Sequence, residues 1–236
     1  MTWNVCAGTN ADCALYRTTA QELAWAVSGQ AGGADVIFLQ EFCTSATWDL
    51  EQGLELATGR QWTVRSWGLT GQDGSPYACH PDRNGRPRGA QSVTVAVAGE
   101  AAFRTHELTS PPWYVGRAVL CARLTGVKVC GTHLSSGRAD DDRQPGSPYR
   151  TKQIRQLLAA AGERAVFGGD LNTQPGNPAV APAYRGFDEC DPRLRATHEN
   201  GKKLDYLFAP KGTIRMCRLG PFGGSDHRPL FVKVAL

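Results

Sequence analysis

Apolar and polar positions alternate along the chain with two different periods. DVIFLQE, QSVTVAV and RAVFGGD are short, nearly continuous apolar runs, the pattern of strands buried on both faces. Residues 18–32 predict a helix, with threonines to cap it, an apolar stripe at Leu23, Ala26 and Val27, and a glycine stop. Residues 46–58 predict another, with Leu50 and Leu54 one turn apart and Gly59 ending it. Residues 1–5 are an extended apolar segment, and residues 62–67 alternate like a strand. Residues 68–88 form a long loop rich in Gly, Pro, Asn and Asp, and loops of that length are usually functional or stapled. QSVTVAV, residues 101–108 and the two strands flanking Thr125 predict an antiparallel run, followed by a polar, charged loop over residues 135–147. Pro148 opens a helix through residue 161 with Ile154, Leu157 and Leu158 facing inward. KLDYLFAP, TIRMCRL and PLFVKVAL are three closing strands. No repeat, linker or break in composition divides residues 1–236, so one α/β domain with mixed sheets is expected.

Composition narrows the function classes. At 41% hydrophobic and 20% charged residues, with 27 glycines and 14 prolines, the chain is not a coiled coil, a collagen or a mainly disordered protein. No apolar run approaches the ~20 residues of a membrane span, so no stable membrane anchor is expected; a monomer is expected as well. A net charge of +4 permits a polyanionic substrate without demanding one. Eight cysteines are the unusual feature. None lies in a Cys-x-x-Cys or near a histidine at zinc-ligand spacing, which favours disulfides in an oxidising compartment over a zinc cluster. A secreted, extracellular protein is therefore expected, its signal peptide absent from this chain; eight buried thiols in a cytosolic enzyme is the alternative. In VLCARLTGVKVCGTHL, a two-residue turn at Thr125-Gly126 would set Cys121 opposite Cys130, close enough to bridge. The same register opposes Arg123 to Lys128, which counts against it.

Strand ends carry an unusual set of polar residues. They are Asn4 after Thr2-Trp3, Glu41 after FLQ, His133 after GT, Asp170 and Asn172 in GGDLN, Asp205 in KLDYLF, and Asp226-His227 in GGSDHRP. Singly, each has an ordinary explanation: a capping carboxylate, a structural histidine, an Asp-x-Asn turn. Together they say more. If the sheets bring these ends to one place, Glu41, Asp170, Asp205 and Asp226 crowd a single cleft, which is costly unless something cationic sits among them. Carboxylate and amide oxygens without soft ligands suit Mg²⁺, Mn²⁺ or Ca²⁺. His133, His227 and Arg117 add donors for an anion. A hard metal, an anion clamp and an Asp–His pair suggest metal-assisted attack on a phosphoryl centre.

TWNV, FLQE, GTHLSS, GGDLN, LDYLF and SDHRPL, in this order over residues 2–230, resemble the endonuclease/exonuclease/phosphatase superfamily, which includes the DNase I-like nucleases. The resemblance implies a four-layer α/β/β/α sandwich of two mixed β-sheets flanked by helices, with the site at one edge. It implies Glu41 as main metal ligand, with Asn4 and Asp226 assisting. Asp170 would orient or deprotonate the attacking water, and Asn172 would hold that water or a phosphate oxygen. His227, paired with Asp205, would be a base or a phosphate donor. His133 would bind the scissile phosphate or help the leaving group, and Arg117 would contact phosphate. The helix YRTKQIRQ is read as structural. A Cys43–Cys79 bond would tether the long loop beside the expected cleft.

The chain departs from the DNase I-like pattern twice. Those nucleases carry an arginine soon after QE, where this chain has Phe42-Cys43-Thr44, and a glutamate partnering the THL histidine, where QWTVRSWG offers only Arg65. Cutting of duplex DNA is weakened by both; general phosphodiester hydrolysis is not. Arg83, Arg86, Arg88 and Lys202-Lys203 either follow a phosphate backbone or are ordinary solvated loop charge. Asp140 to Asp142 would repel a polyanion or bind a structural cation, and Trp113-Tyr114 reads as a packed strand entry before a base-stacking or lipid contact. Three functions follow. The first is an extracellular metal-dependent nuclease whose substrate is nucleic acid. The second is a phosphoesterase of phospholipid headgroups or small phosphates, although the exposed hydrophobic hairpin common in sphingomyelinases is missing. The third is a non-catalytic or toxin-like module, disfavoured because every catalytic motif position is filled.

Overall fold

A computed structural model describes residues 1–138 and 140–235; Ala139 in the predicted polar loop and Leu236 at the end of the last predicted strand lie outside the described residues. In chain order, the first half holds β1 (Thr2–Asn4), α1 (Ala20–Gln30), β2 (Val36–Cys43), α2 (Thr47–Thr58), β3 (Trp62–Gly68), β4 (Gln91–Ala98) and β5 (Ala102–Leu108). The second holds β6 (Arg117–Leu124), β7 (Val127–His133), α3 (Pro148–Ala161), β8 (Ala165–Asp170), α4 (Ala181–Gly186) and β9 (Phe187–Glu189). It closes with β10 (Asp205–Pro210), β11 (Ile214–Leu219) and β12 (Leu230–Val234). The strands form two six-stranded mixed sheets, ordered β11-β12-β1-β2-β4-β3 and β5-β6-β7-β8-β10-β9.

Local chemistry explains the element ends. Thr19 caps α1 by accepting from Glu22 N at 3.3 Å while its own N–H donates to Glu22 Oε2 at 3.0 Å, a reciprocal pair that satisfies two otherwise orphaned donors. α2 stops on Gly59, whose φ of 65° is cheap only for glycine. Phe38, Val93, Val95 and Val97 from the first sheet meet Leu120, Val129, Val166 and Leu207 from the second in the central core. α1 and α2 lay Leu23, Val27, Leu50 and Leu54 on the outer face of the first sheet. Ile154 and Leu157 of α3 cover the second. The result is the four-layer α/β/β/α sandwich.

The predicted antiparallel run is redistributed. β5, β6 and β7 are consecutive antiparallel neighbours, but β4 pairs with β2 and β3 in the other sheet. The closing strands split as well: β10 joins the second sheet, whereas β11 and β12 extend the first. The chain changes sheets because a fully apolar strand such as β4 satisfies either sheet's inner face, and only packing partners far along the chain decide between them. α4 and β9 were not predicted; six and three residues are too short to show a period.

All eight cysteines are paired, as Cys6–Cys13, Cys43–Cys79, Cys121–Cys130 and Cys190–Cys217. Cys121 stands opposite Cys130 in the β6–β7 ladder as the turn requires. The opposed Arg123 and Lys128 are relieved because Lys128 Nζ donates to Ala160 O at 3.0 Å. Cys43–Cys79 ties the long loop to the end of β2, and Cys190–Cys217 links the loop after β9 to β11, joining the two sheets. Unfolded without reductant, the protein should therefore show no reactive thiol by thiol titration; eight would contradict the pairing.

Candidate active site

Six strands bring their chemistry-bearing ends to one edge of the sandwich. β7 and β8 run parallel with His133 beside Asp170, and β10 returns antiparallel so that Asp205 stands on the other side of Asp170. The close approach depends on Gly168 and Gly169: a Cβ on either would lie 1.9 Å from a neighbouring strand's carbonyl oxygen. β1 ends at Asn4, which faces Gln40 of β2 in parallel register. Glu41 is the extra residue of a β-bulge between Gln40 and Phe42, with φ of 55°. Bulges re-aim side chains, and a carboxylate held in this conformation is a strained feature of the kind found at functional sites. The edge opens into a cleft of about 1350 Å³ lined by Glu41, Arg117, His133, Asp170, Asn172, Asp226 and His227. Asn4 and Asp205 are buried.

Asn4 is the hub. Its Nδ2 donates to Glu41 Oε1 and to Asp170 Oδ2, both at 3.1 Å, and its Oδ1 accepts from Cys6 N at 3.0 Å. His227 is the second. Its Nδ1 bonds Asp205 Oδ2 at 2.7 Å, and its Nε2 lies 3.8 Å from Asp170 Oδ2 and 4.0 Å from Asp226 Oδ1. Trp3 Nε1 donates to His227 O at 3.0 Å and Ser225 Oγ accepts from His227 N at 3.0 Å, so the histidine is fixed from both ends.

His133 behaves differently. Asn172 Nδ2 donates to Leu134 O at 2.9 Å and therefore also donates to His133 Nε2 at 3.1 Å. A neutral His133 then carries its proton on Nδ1, which is buried with no partner among the described residues. Arg65, in the stretch where the resemblance expects an acid, is exposed. Asn172 itself has φ of 50°, is braced by its N–H on Asp170 Oδ1 at 2.8 Å, and accepts from Arg150 Nη1 through its carbonyl at 2.5 Å.

The charges set the electrostatics. Burial pushes the carboxyls of Glu41 and Asp170 above their usual range, and Asp205 adds to the effect on Asp170. Burial opposes a charge on His227, but Asp205, Asp170 and Asp226 outweigh it and push the imidazole up to about 10. Burial, with Arg117 and His227 nearby, holds His133 well below the usual histidine range.

Several basic residues are already spent. Arg117 is only 6% exposed and donates to Asp141 Oδ2 at 3.0 Å. Asp142 Oδ2 accepts from Arg150 N at 2.9 Å, so Asp141 and Asp142 are buried struts, whereas Asp140 is exposed. Arg88 is buried and donates to Ala7 O at 2.7 Å, Arg83 is paired with Glu22, and Lys203 lies 3.1 Å from Glu189 Oε1; of that group Lys202 lines the cleft. Trp113 packs edge-on against Tyr149, while Tyr114 lines the cleft.

Three residues of the site escaped the sequence reading. Arg150, on the helix read as structural, faces inward at four-residue spacing from Ile154, a charge on an apolar stripe that was a usable signal. Asn10 reaches Asp226 Oδ2 at 3.4 Å from the loop closed by Cys6–Cys13. His198 pairs with His227 as an isolated bridge. Neither of these two carries a sequence signal.

The stability consequence of the His227 pair has a definite sign. An unfolded histidine titrates near ~6.5, whereas His227 in the fold titrates at about 10. The pairing therefore adds stability that is fully present below the lower value and lost as pH rises through the upper one. In EDTA, Asp205→Asn should melt below the parent at neutral pH, and the gap in Tm should narrow as pH approaches the upper value. A gap constant across that window would contradict the assignment.

Comparison with known proteins places the site in context. The family model described as Endonuclease/Exonuclease/phosphatase family matches residues 1–227. No curated protein sequence matches the chain. Among solved structures, an endonuclease/exonuclease/phosphatase from Beutenbergia cavernae DSM 12333 aligns with a TM-score of 0.68 at 19% identity, covering 98% of this chain and 69% of that one. The human Nocturnin catalytic domain, with bound sulfate, aligns at 0.66 and 16% identity over 98% of this chain and 92% of its own. Beta toxin from Staphylococcus aureus, with bound magnesium ions, aligns at 0.59 and 14% identity over 99% and 98%.

Proposed function

The chain belongs to the endonuclease/exonuclease/phosphatase family, and from that premise we propose that it is a divalent-metal-dependent phosphodiester hydrolase, an extracellular nuclease acting on DNA or RNA. The observation that carries the reading is the convergence of Glu41, Asp170, Asp226 and the Asp205–His227 pair on one cleft, with Asn4 joining Glu41 to Asp170.

The donor set fits a hard cation. Glu41 and Asp170 are carboxyls whose burial disfavours their charge, and the oxygens around them suit Mg²⁺, Mn²⁺ or Ca²⁺. Glu41 and Asp226, with Asn4 between Glu41 and Asp170, would hold the ion. Such an ion supplies neutralising charge to a phosphate oxygen. Asp170, with its proton affinity raised, suits the work of orienting and deprotonating the attacking water near neutral pH. Asn172, whose Nδ2 is committed to His133 and Leu134, has Oδ1 left to hold that water. His227 keeps its proton and acts as a donor to the phosphoryl group, with Asp205 fixing the ring; a base role is disfavoured by the three carboxylates around it. His133, whose Nε2 already accepts from Asn172, orients that amide in preference to donating to phosphate. Arg117 contributes positive potential from behind Asp141. Four disulfides support an oxidising, extracellular setting.

Plasmid nicking, RNA cleavage and hydrolysis of bis(p-nitrophenyl) phosphate, each in Mg²⁺ and again in EDTA, test the activity, with sphingomyelin and inositol phosphates as competing substrates. Asp170→Asn and His227→Gln should each lower kcat by about 10²–10⁴ while folding is retained. Turnover within about threefold of the parent by either variant would sink its assigned role.

A further inference from the structure

His198 stands at the mouth of the same cleft and has no part in the roles above. It sits in a tight turn: His198 N and Thr197 N both donate to Lys202 O at 3.0 Å, and Gly201, with φ of 82°, closes the turn. The isolated bridge to His227 sets the two imidazoles edge to face, their centroids 4.5 Å apart. One nitrogen of each ring and a carboxylate oxygen of Asp226 all lie within 4.8 Å of one another.

The turn also fixes which nitrogen carries the proton. Asn200 N–H donates to His198 Nδ1 at 3.1 Å, and a backbone N–H has no other role. Nδ1 is therefore an acceptor, and neutral His198 bears its hydrogen on Nε2. That excludes two roles at once. A protonated Nε2 is not a metal ligand, and it has no lone pair with which to act as a base. It is a donor without a partner: Nε2 lies 3.7 Å from Asp226 Oδ2, beyond hydrogen-bond reach, and has no hydrogen-bond partner among the described residues.

We infer that His198 is a substrate-binding residue whose fixed Nε2–H donates to a phosphoryl oxygen of the substrate. The inference rests on the hydrolase reading and names a contact within it. A fixed, unpartnered N–H on the wall of this cleft suits a phosphate oxygen, an acceptor that Asp226 cannot mimic from its distance.

Two substitutions separate this role from a structural one because each keeps half of the histidine. His198→Asn offers Oδ1 to Asn200 N–H, preserving the turn, and removes the donor at Nε2. His198→Gln places an amide N–H near Nε2 and gives up the turn's bond. With bis(p-nitrophenyl) phosphate in Mg²⁺, His198→Asn should raise KM and the inhibition constant of inorganic phosphate about tenfold, with kcat within about threefold. His198→Gln should stay within about threefold of the parent on all three. The opposite order, Gln impaired and Asn normal, would show a structural role and overturn the inference, as would an effect confined to the Mg²⁺ concentration dependence. Calorimetric binding of inorganic phosphate keeps the two readings apart. A parent that hydrolyses no phosphoester overturns the hydrolase, whereas phosphate binding undiminished in His198→Asn overturns the role of His198 alone.

Discussion

Like charge gathered at one sheet edge is the constraint on which the rest of the molecule depends. Asp170 and Asp205 are lateral neighbours on adjacent strands, and Glu41 reaches Asp170 through a single shared amide. In a low-dielectric interior such an arrangement is strongly unfavourable unless positive charge or hydrogen bonds answer it. His227 supplies the charge, held by Asp205 on one ring nitrogen and by Trp3 and Ser225 through its backbone. Two glycines in β8 let the strands close around it. The bulge at Glu41 and the left-handed conformation of Asn172 are strains that this packing sustains.

The charges surrounding the cleft follow from the same pressure. Asp141 and Asp142 hold Arg117 and the backbone of Arg150, and Arg150 in turn holds Asn172. Arginines that resemble a phosphate-binding surface in sequence are mostly consumed in building the walls. Arg88 fastens the long loop to the segment around Ala7 and Leu15, beside the Cys43–Cys79 bond. Cys6–Cys13 closes the loop that carries Asn10 to Asp226. Cross-links and buried ion pairs thus stiffen the segments between the strands, which is where the cleft needs support.

Much of this was legible because it is local. A glycine pair before Asp170, an acid beside a histidine in GGSDH and a carboxylate closing DVIFLQE each state their position within a few residues. The Cys121–Cys130 pair is legible in the length of the turn, although the opposed Arg123 and Lys128 speak against that register. What could not be read depends on distant partners. The exchange of β4 between sheets leaves no mark in an apolar run, and the bulge that turns Glu41 exists only in register with Val93 and Ser92. The unpartnered Nδ1 of His133 is likewise set by the bonds of Asn172, thirty-nine residues on. His198 has no motif; its proton is placed by one backbone bond within a turn.

The demand of these acids for a cation is best tested by titrating the metal-free protein with Mg²⁺ by calorimetry, beside Glu41→Gln. Saturable binding to the parent, accompanied by a rise in Tm with Mg²⁺ concentration and abolished by the substitution, is the expected result. Equal binding to both proteins, or no binding of Mg²⁺, Mn²⁺ or Ca²⁺ to the parent, would contradict it.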